Sequence, residues 1–373
     1  MFKKILCLVL CVIFVGASFV ACAEDPDDVD TSTDTETTST TGPSNVGDNV
    51  AFYDPDLEHK VIVSDIQHHS IVIFDLNYCD GDWKKLTEPG AVEWEWCADT
   101  DPNCKRSSSV GVGIDEAKLR WSDYYQKEVI IACSSAGWAG IIDYQKKTVL
   151  WEAIPGDGPH SVELLPNGDL AVACAGDGTY GYLRYYPVSQ GTHDCSGMIS
   201  MSSAHGVCWD PDEELLWVLW AGGISAVQIA GYGTAKAKPM LISGMTADTP
   251  SDNGGHDLMP VFGQPGKYWA SGVRGLWLFD SQEMKISKGY TQSSVISIAN
   301  VKGNAYFTDN TFVQAVAAGN TEKTSYEWST HELRVITMGL SSGKVKEPKA
   351  TVTKVWFNDR EFYKAHALCD DYQ

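Results

Sequence analysis

The chain has 373 residues, with 28 Lys and Arg against 49 Asp and Glu and a formal net charge of −21. So acidic a chain, with no basic stripe, is a poor partner for nucleic acid or for an anionic lipid surface, and neither is expected. Its 13 Trp and 16 Tyr are many for this length and are expected mostly in a core.

Lys3 and Lys4 precede an apolar stretch from Ile5 to Phe19, and the small residues Val20 and Ala21 lead to Cys22. This is the n-region, h-region and cleavage site of a secretory signal, too short to favour a membrane-spanning helix. Phe19-Val20-Ala21-Cys22 resembles a bacterial lipobox, with Phe19 where an aliphatic residue is usual. Residues 1–21 are therefore expected to be removed and Cys22 to carry a lipid, the only link to the membrane; cleavage by the ordinary signal peptidase is the alternative. Residues 22–52 read as a tether, because Glu24 to Asn49 holds eight acids, no base and almost nothing to bury. Glu24, Asp25, Asp27 and Asp28 resemble the export signal of Bacteroidetes-type lipoproteins displayed on the outer face of the outer membrane, and a plain solubilising spacer is the other reading.

Residues 53–373 read as one all-β domain, expected to be a monomer. Short β-branched and aromatic runs such as Val61-Ile62-Val63, Ile71-Val72-Ile73-Phe74, Val129-Ile130-Ile131-Ala132 and Leu215-Leu216-Trp217-Val218 alternate with Gly, Pro, Asn and Asp, and no amphipathic helix of ordinary length interrupts them. Eight cysteines follow Cys22 in a compartment that permits disulfides. Cys97 and Cys104 flank the polar loop Ala98 to Asn103 and are the best candidate bridge, while Cys79 and Cys195 are assigned no partner.

A strand, turn, strand unit recurs along the domain. Its clearest copy is Pro159-His160-Ser161-Val162-Glu163-Leu164-Leu165-Pro166-Asn167-Gly168-Asp169 leading into Leu170-Ala171-Val172-Ala173. It returns as Ala204-His205-Gly206-Val207 before Leu215-Trp217-Val218 and as Gly255-His256-Asp257-Leu258 before Tyr268-Trp269-Ala270. Weaker copies start at Ala117 to Trp121 and at Ser294 to Ile298, the latter followed by Ala305-Tyr306-Phe307. Repeats of roughly 35 to 50 residues suit four-stranded propeller blades. A sixth blade assembles from the two ends of the chain, with the strand around Ala365 to Cys369 supplying the first strand that Val61 to Ile66 lacks. The expected fold is a six-bladed β-propeller; seven blades, with Ala305 to Phe357 divided in two, is the alternative.

The unit from Ser161 to Asp169 looks like the repeat of NHL and SMP-30-type propellers, a resemblance that implies a metal held by inner-strand residues in some enzyme members. The span from about Lys60 to Val355, with the three histidine-bearing copies quoted above, resembles a family of uncharacterised bacterial propeller lipoproteins, which implies fold and location rather than activity.

First strands line a propeller's central channel, so His160, His205 and His256, which share one repeat position, should converge there; His366 holds that position in the closing strand. Three or four neutral imidazoles suit a divalent transition metal. The competing reading is that each donates to a neighbouring blade's carbonyl and pins the ring. Glu163 and Asp257 lie on the wrong face or beside the histidines, and no nucleophile elbow, H-E-x-x-H, P-loop or dinucleotide fingerprint is present. Trp138 and Trp220, next to Gly or turn residues at strand ends, are candidates for stacking on a sugar ring, as is Trp83. Two functions follow as expectations: binding of an extracellular ligand, a glycan foremost, or a metal-dependent lyase or hydrolase at His160, His205 and His256. An envelope scaffold is a third.

Overall fold

Val129-Ile130-Ile131-Ala132 is apolar at every position, more than a half-buried strand needs, and its two faces show why. In the computed structural model Ile130 and Ala132 enter one hydrophobic cluster while Val129, Ile131 and Cys133 enter the next. Leu170, Val172 and Cys174 against Ala171 and Ala173 divide in the same way, as do Leu215, Trp217 and Leu219 against Leu216 and Val218. A period of two sends alternate side chains to opposite faces, and both faces are dry because a blade lies on each side.

The structure describes residues 58–249, 255–288, 298–307, 311–317, 324–338 and 350–373; the expected signal segment, Cys22, the acidic tether, Asn253-Gly254 and Ser294 to Ser297 lie outside them. The described strands form six sheets of four strands each. Six apolar clusters lie between successive blades, the cluster joining the sixth blade to the first included, so the ring closes. The inner strands, in blade order, are Phe362–Ala367, Glu116–Ser122, Pro159–Leu164, Gly206–Asp210, Asp257–Pro260 and Val301–Tyr306. This is a six-bladed β-propeller, with only short 3₁₀ turns besides strands among the described residues. No described helix is long and apolar enough to cross a membrane.

Closure runs as the repeat implies. The C-terminal strand Phe362–Ala367 pairs antiparallel with Lys60–Asp65, with Val61 opposite Ala367, Ile62 opposite His366 and Val63 opposite Ala365. The strand borrowed from the far end of the chain hides the two edges that an open ring would expose. In the clearest repeat, Gly168 turns the chain at φ +87°, where any Cβ would meet Tyr124 Cβ at 2.4 Å. Asn-Gly is the expected chemistry for so tight a turn.

Two expectations are corrected. The inner strand of the sixth blade is Val301–Tyr306, not Ser294 to Ile298, and the next strand is Thr311–Val316. Lys302, Gly303 and Asn304 interrupt this strand, and only Ala305 and Tyr306 at its far end join the apolar clusters on its two sides. The second correction concerns Cys97 and Cys104, which are free thiols, as are the other six described cysteines. Cys97 Sγ donates to the His68 carbonyl at 3.2 Å and Cys104 Sγ points to Glu152 Oε2 at 3.7 Å. Asp101 holds the intervening loop instead, accepting from Trp96 Nε1 at 3.0 Å and from the Val149 amide at 2.7 Å.

Candidate functional site

Inner strands enter the channel at the same end, so residues at their heads meet there. Each of the six blades contributes one: Tyr363, Asp115, His160, His205, His256 and Lys302. Their contacts run in a closed circuit. His160 Nδ1 lies 3.5 Å from Asp115 Oδ1, and the His160 ring stacks on His205 with centroids 4.5 Å apart. His205 meets His256 edge-on at 6.2 Å. Lys302 Nζ lies 3.1 Å from both ring nitrogens of His256 and 5.5 Å from the centre of the Tyr363 ring, whose hydroxyl is 3.4 Å from His160 Nδ1. The three imidazoles are partly exposed, while Asp115, Lys302 and Tyr363 are buried behind them.

Beneath this mouth the bore is filled by paired charges. Lys364 Nζ donates to Glu116 Oε1 at 3.0 Å and to the carbonyls of His160 and His205 at 2.9 and 3.1 Å, and lies 3.2 Å from Asp257 Oδ1. Lys118 lies 3.2 Å from Glu116 and donates to the carbonyls of Val162 and Val207. Arg120 grips Glu163 through two bonds of 2.8 and 3.0 Å, and His366 Nε2 meets Asp257 Oδ2 at 2.9 Å. Burial alone would lower Lys364, yet Glu116 and Asp257 hold its pKa above the ordinary value. Burial likewise opposes the charge on Asp257, and His366 and Lys364 outweigh it and keep the carboxyl ionised.

The mouth shows the opposite balance. Burial, reinforced by the charge of Lys364, brings Lys302 down to about 7. Burial pushes Asp115 up to about 7, although the Ser135 amide donates to Oδ2. Its other oxygen, Oδ1, has no hydrogen-bond partner. Burial drops His205 to about 4 and, with Lys302 adding to it, His256 to about 2; His160 also falls well below the ordinary range. Neutral imidazoles therefore lie beside an amine and a carboxyl whose proton affinities burial has drawn towards each other, the kind of shift that clusters at reactive and ligand-binding sites.

His160, His205 and His256 do converge as their repeat position requires. His366 does not join them: Tyr363 holds the equivalent place, and His366 lies three residues deeper on Asp257. Lys364 and Lys118 tie the blades together across the bore, their ammonium groups binding carbonyls of the third and fourth blades, and His366 Nδ1 lies 3.3 Å from the Ala117 carbonyl of the next blade; His205 bonds the carbonyl of Ser203 in its own loop, at 2.8 Å. As a metal chelate the three imidazoles do not fit. Their ligand atoms are not among the described groups that come within 4.8 Å of one another, two of them are stacked, and Lys302 sits against the third. Glu116, Asp257 and His366 do bring ligand atoms within 4.8 Å and could hold an ion, but Lys364 and Lys118 already neutralise those carboxylates. Cys369, Asp370 and Asp371 form a second such group near the C-terminus.

The aromatic candidates fare less well. Trp138 is fully buried, donates to Glu152 Oε2 at 3.0 Å and stacks on Trp96, so it offers no face to a sugar. Trp220 is half-buried, donates to Ser225 Oγ at 2.8 Å and lies over Gly222, and Trp83 packs on the core between the first and sixth blades. Asp115, Lys302, Tyr363 and Lys364 were not singled out from the sequence. Asp115-Glu116-Ala117 stands where His160-Ser161-Val162 stands one blade on, and that alignment alone would have found Asp115.

Residues 92–314 match the model of the Family of unknown function (DUF6528). The chain belongs to this family. No curated protein matches it. Among solved structures, this DUF6528 member is similar to Kuenenia stuttgartiensis hydrazine synthase, at 12% identity over 65% of this chain and 66% of that one, with a TM-score of 0.39. It is also similar to the β-propeller domain of Myceliophteria thermophila Cps50 (Swd1), at 10% identity over 65% and 71% with a TM-score of 0.38. A third likeness is to the dihydro-heme d1 dehydrogenase NirN in complex with DHE, at 12% over 82% and 56% with a TM-score of 0.39. Likeness of this degree says nothing of activity.

Proposed function

We propose that the protein is an envelope lipoprotein, anchored through Cys22 and displayed at the outer membrane surface, whose channel mouth binds a small organic acid. A carboxylated saccharide is one member of that class. The observation that carries the reading is Lys302, 6% exposed, with no carboxylate at ion-pair distance among the described residues. A buried ammonium without a counter-ion is costly. An acidic ligand supplies the missing charge, and His160 and His256, as neutral imidazoles, each carry one N–H to offer it. Binding then draws protons into the mouth. Affinity should weaken as pH rises through about 7, where Lys302 gives up its proton.

Calorimetric titration with oxalate and D-glucuronate at pH 6 and 8, in buffers of different ionisation enthalpy, tests this. Proton uptake and loss of binding in Lys302→Met are expected. Equal affinity in that variant, or binding of neutral sugars alone, would overturn the acid site. Elemental analysis of purified protein separates the metal-dependent reading: a stoichiometric transition metal that is lost in His205→Ala would replace it.

A further inference from the structure

We propose that Lys302 is a nucleophile that captures the carbonyl of a 2-oxo or aldehyde acid as an imine at the channel mouth. This rests on the acid-binding reading and adds a covalent step to it. Three buried lysines line the channel, and two of them, Lys118 and Lys364, lie against carboxylates. Lys302 does not. Its equal 3.1 Å separations from Nδ1 and Nε2 put the amine over the face of the His256 ring, since an approach along one lone pair would favour one nitrogen. Among the described residues the His256 ring is thus its one hydrogen-bond partner, and neither ring nitrogen holds it in line. The Tyr363 ring lies on the same amine at 5.5 Å. The position of the strand is set by Gly303, where an added Cβ would meet the Ala365 backbone nitrogen at 2.5 Å, so the lysine stem starts from a blade pressed against the closing strand.

The groups around the amine come from the five other blades: Asp115, His160, His205, His256, Tyr363 and, beneath them, the fixed charge of Lys364. Desolvation together with a neighbouring cation is the environment that turns lysine into a nucleophile near neutral pH. The amine lone pair forms the C–N bond while the carbonyl π pair moves to oxygen, giving a carbinolamine. Protonation of that hydroxyl and departure of water leave the C=N bond, with one water released and no oxidant or reductant consumed. Asp115 is placed to hold the proton in transit: its Oδ1 is unpaired and lies 3.5 Å from His160 Nδ1. The carboxylate of the ligand remains as counter-ion to the iminium.

Glyoxylate with sodium borohydride is the probe, since hydride addition to its imine leaves a carboxymethyl group on the amine. One adduct per chain on the peptide holding Lys302 is expected at pH 7. There this lysine has a neutral fraction about a thousand-fold above that of a surface lysine. Oxalate, which has no reactive carbonyl, should protect it, and Lys302→Arg should abolish the adduct. Label spread over surface lysines, or none on Lys302, overturns the imine. Calorimetry with oxalate on the unmodified protein tells the two readings apart. Oxalate binding without Lys302 labelling sinks the imine and leaves the acid site standing, and absence of both sinks the pair.

Discussion

Replacing Lys302 by Met should make the protein more stable, and more so at low pH. Burial and Lys364 hold this lysine near 7, whereas in the unfolded chain it titrates near the ordinary value of about 10.4. Below pH 7 the folded state must carry a proton that its surroundings oppose, so the penalty is complete there. It is relieved as pH climbs from about 7 towards the unfolded value, because only the unfolded chain then keeps the proton. That gap corresponds to a gain for the Met variant on the order of 4 to 5 kcal/mol at pH 6, falling to about 2 kcal/mol at pH 9. Methionine is close to lysine in length and packs adaptably, so cavity and strain should add little. Urea unfolding at the two pH values, with slopes compared to confirm that the transition is the same, measures it. A variant destabilised equally at both would refute the reasoning, since it would mean that Lys302 has a structural partner at the mouth.

Deleting residues from Tyr363 onward removes most of the closing strand and should abolish the single cooperative transition; a melt like that of the full chain would count against closure as the source of cooperativity. Glu163→Ala leaves Arg120 buried and unpaired and should cost about 3 to 5 kcal/mol in equilibrium unfolding, with a loss under about 1 kcal/mol showing the pair to be dispensable. Cys22→Ser should release soluble protein on fractionation of cells, and a variant that stays with the membrane would argue against the lipid. His205→Ala should cost about 1 kcal/mol, since the partly exposed imidazole makes one described hydrogen bond, to the Ser203 carbonyl, yet weaken oxalate binding measurably.

The ring was legible wherever a blade announces itself by apolar alternation on two faces. Leu170 to Ala173 and Leu215 to Val218 divide between wedges, and such runs can be read without coordinates. The closing strand was legible because Lys60 to Asp65 had no preceding partner. Reading failed at the sixth blade: its first strand, Val301–Tyr306, carries Lys302, Gly303 and Asn304 in succession and was passed over for the more apolar Ser294 to Ile298. The same failure hid half of the mouth. Histidine is scarce and draws the eye, whereas Asp115 and Lys302 look like surface residues until the register places them on the axis. His366 misled for the converse reason, being a histidine in the right strand but three residues too deep. Trp138 misled because neighbouring glycine suggests a rim, when Gly140 in fact lies under its ring.

The contrast between the two layers of the channel is the strongest reason to look for a ligand at the mouth. In the bore, Lys118, Lys364 and Arg120 face Glu116, Glu163 and Asp257, and the partners lie within 3.6 Å. A buried network so balanced holds blades together and has no need of an ion. At the mouth, a lysine and three imidazoles face one carboxyl, and that carboxyl is itself pushed up to about 7. If the mouth served only to close the ring, apolar residues of similar volume would do so at less cost, since desolvating unpaired ionisable groups opposes folding. The bore shows that this chain can place a carboxylate beside a buried lysine. Lys302 lies one layer above that network with no carboxylate at ion-pair distance among the described residues, so the missing charge is best sought in a molecule that arrives from outside.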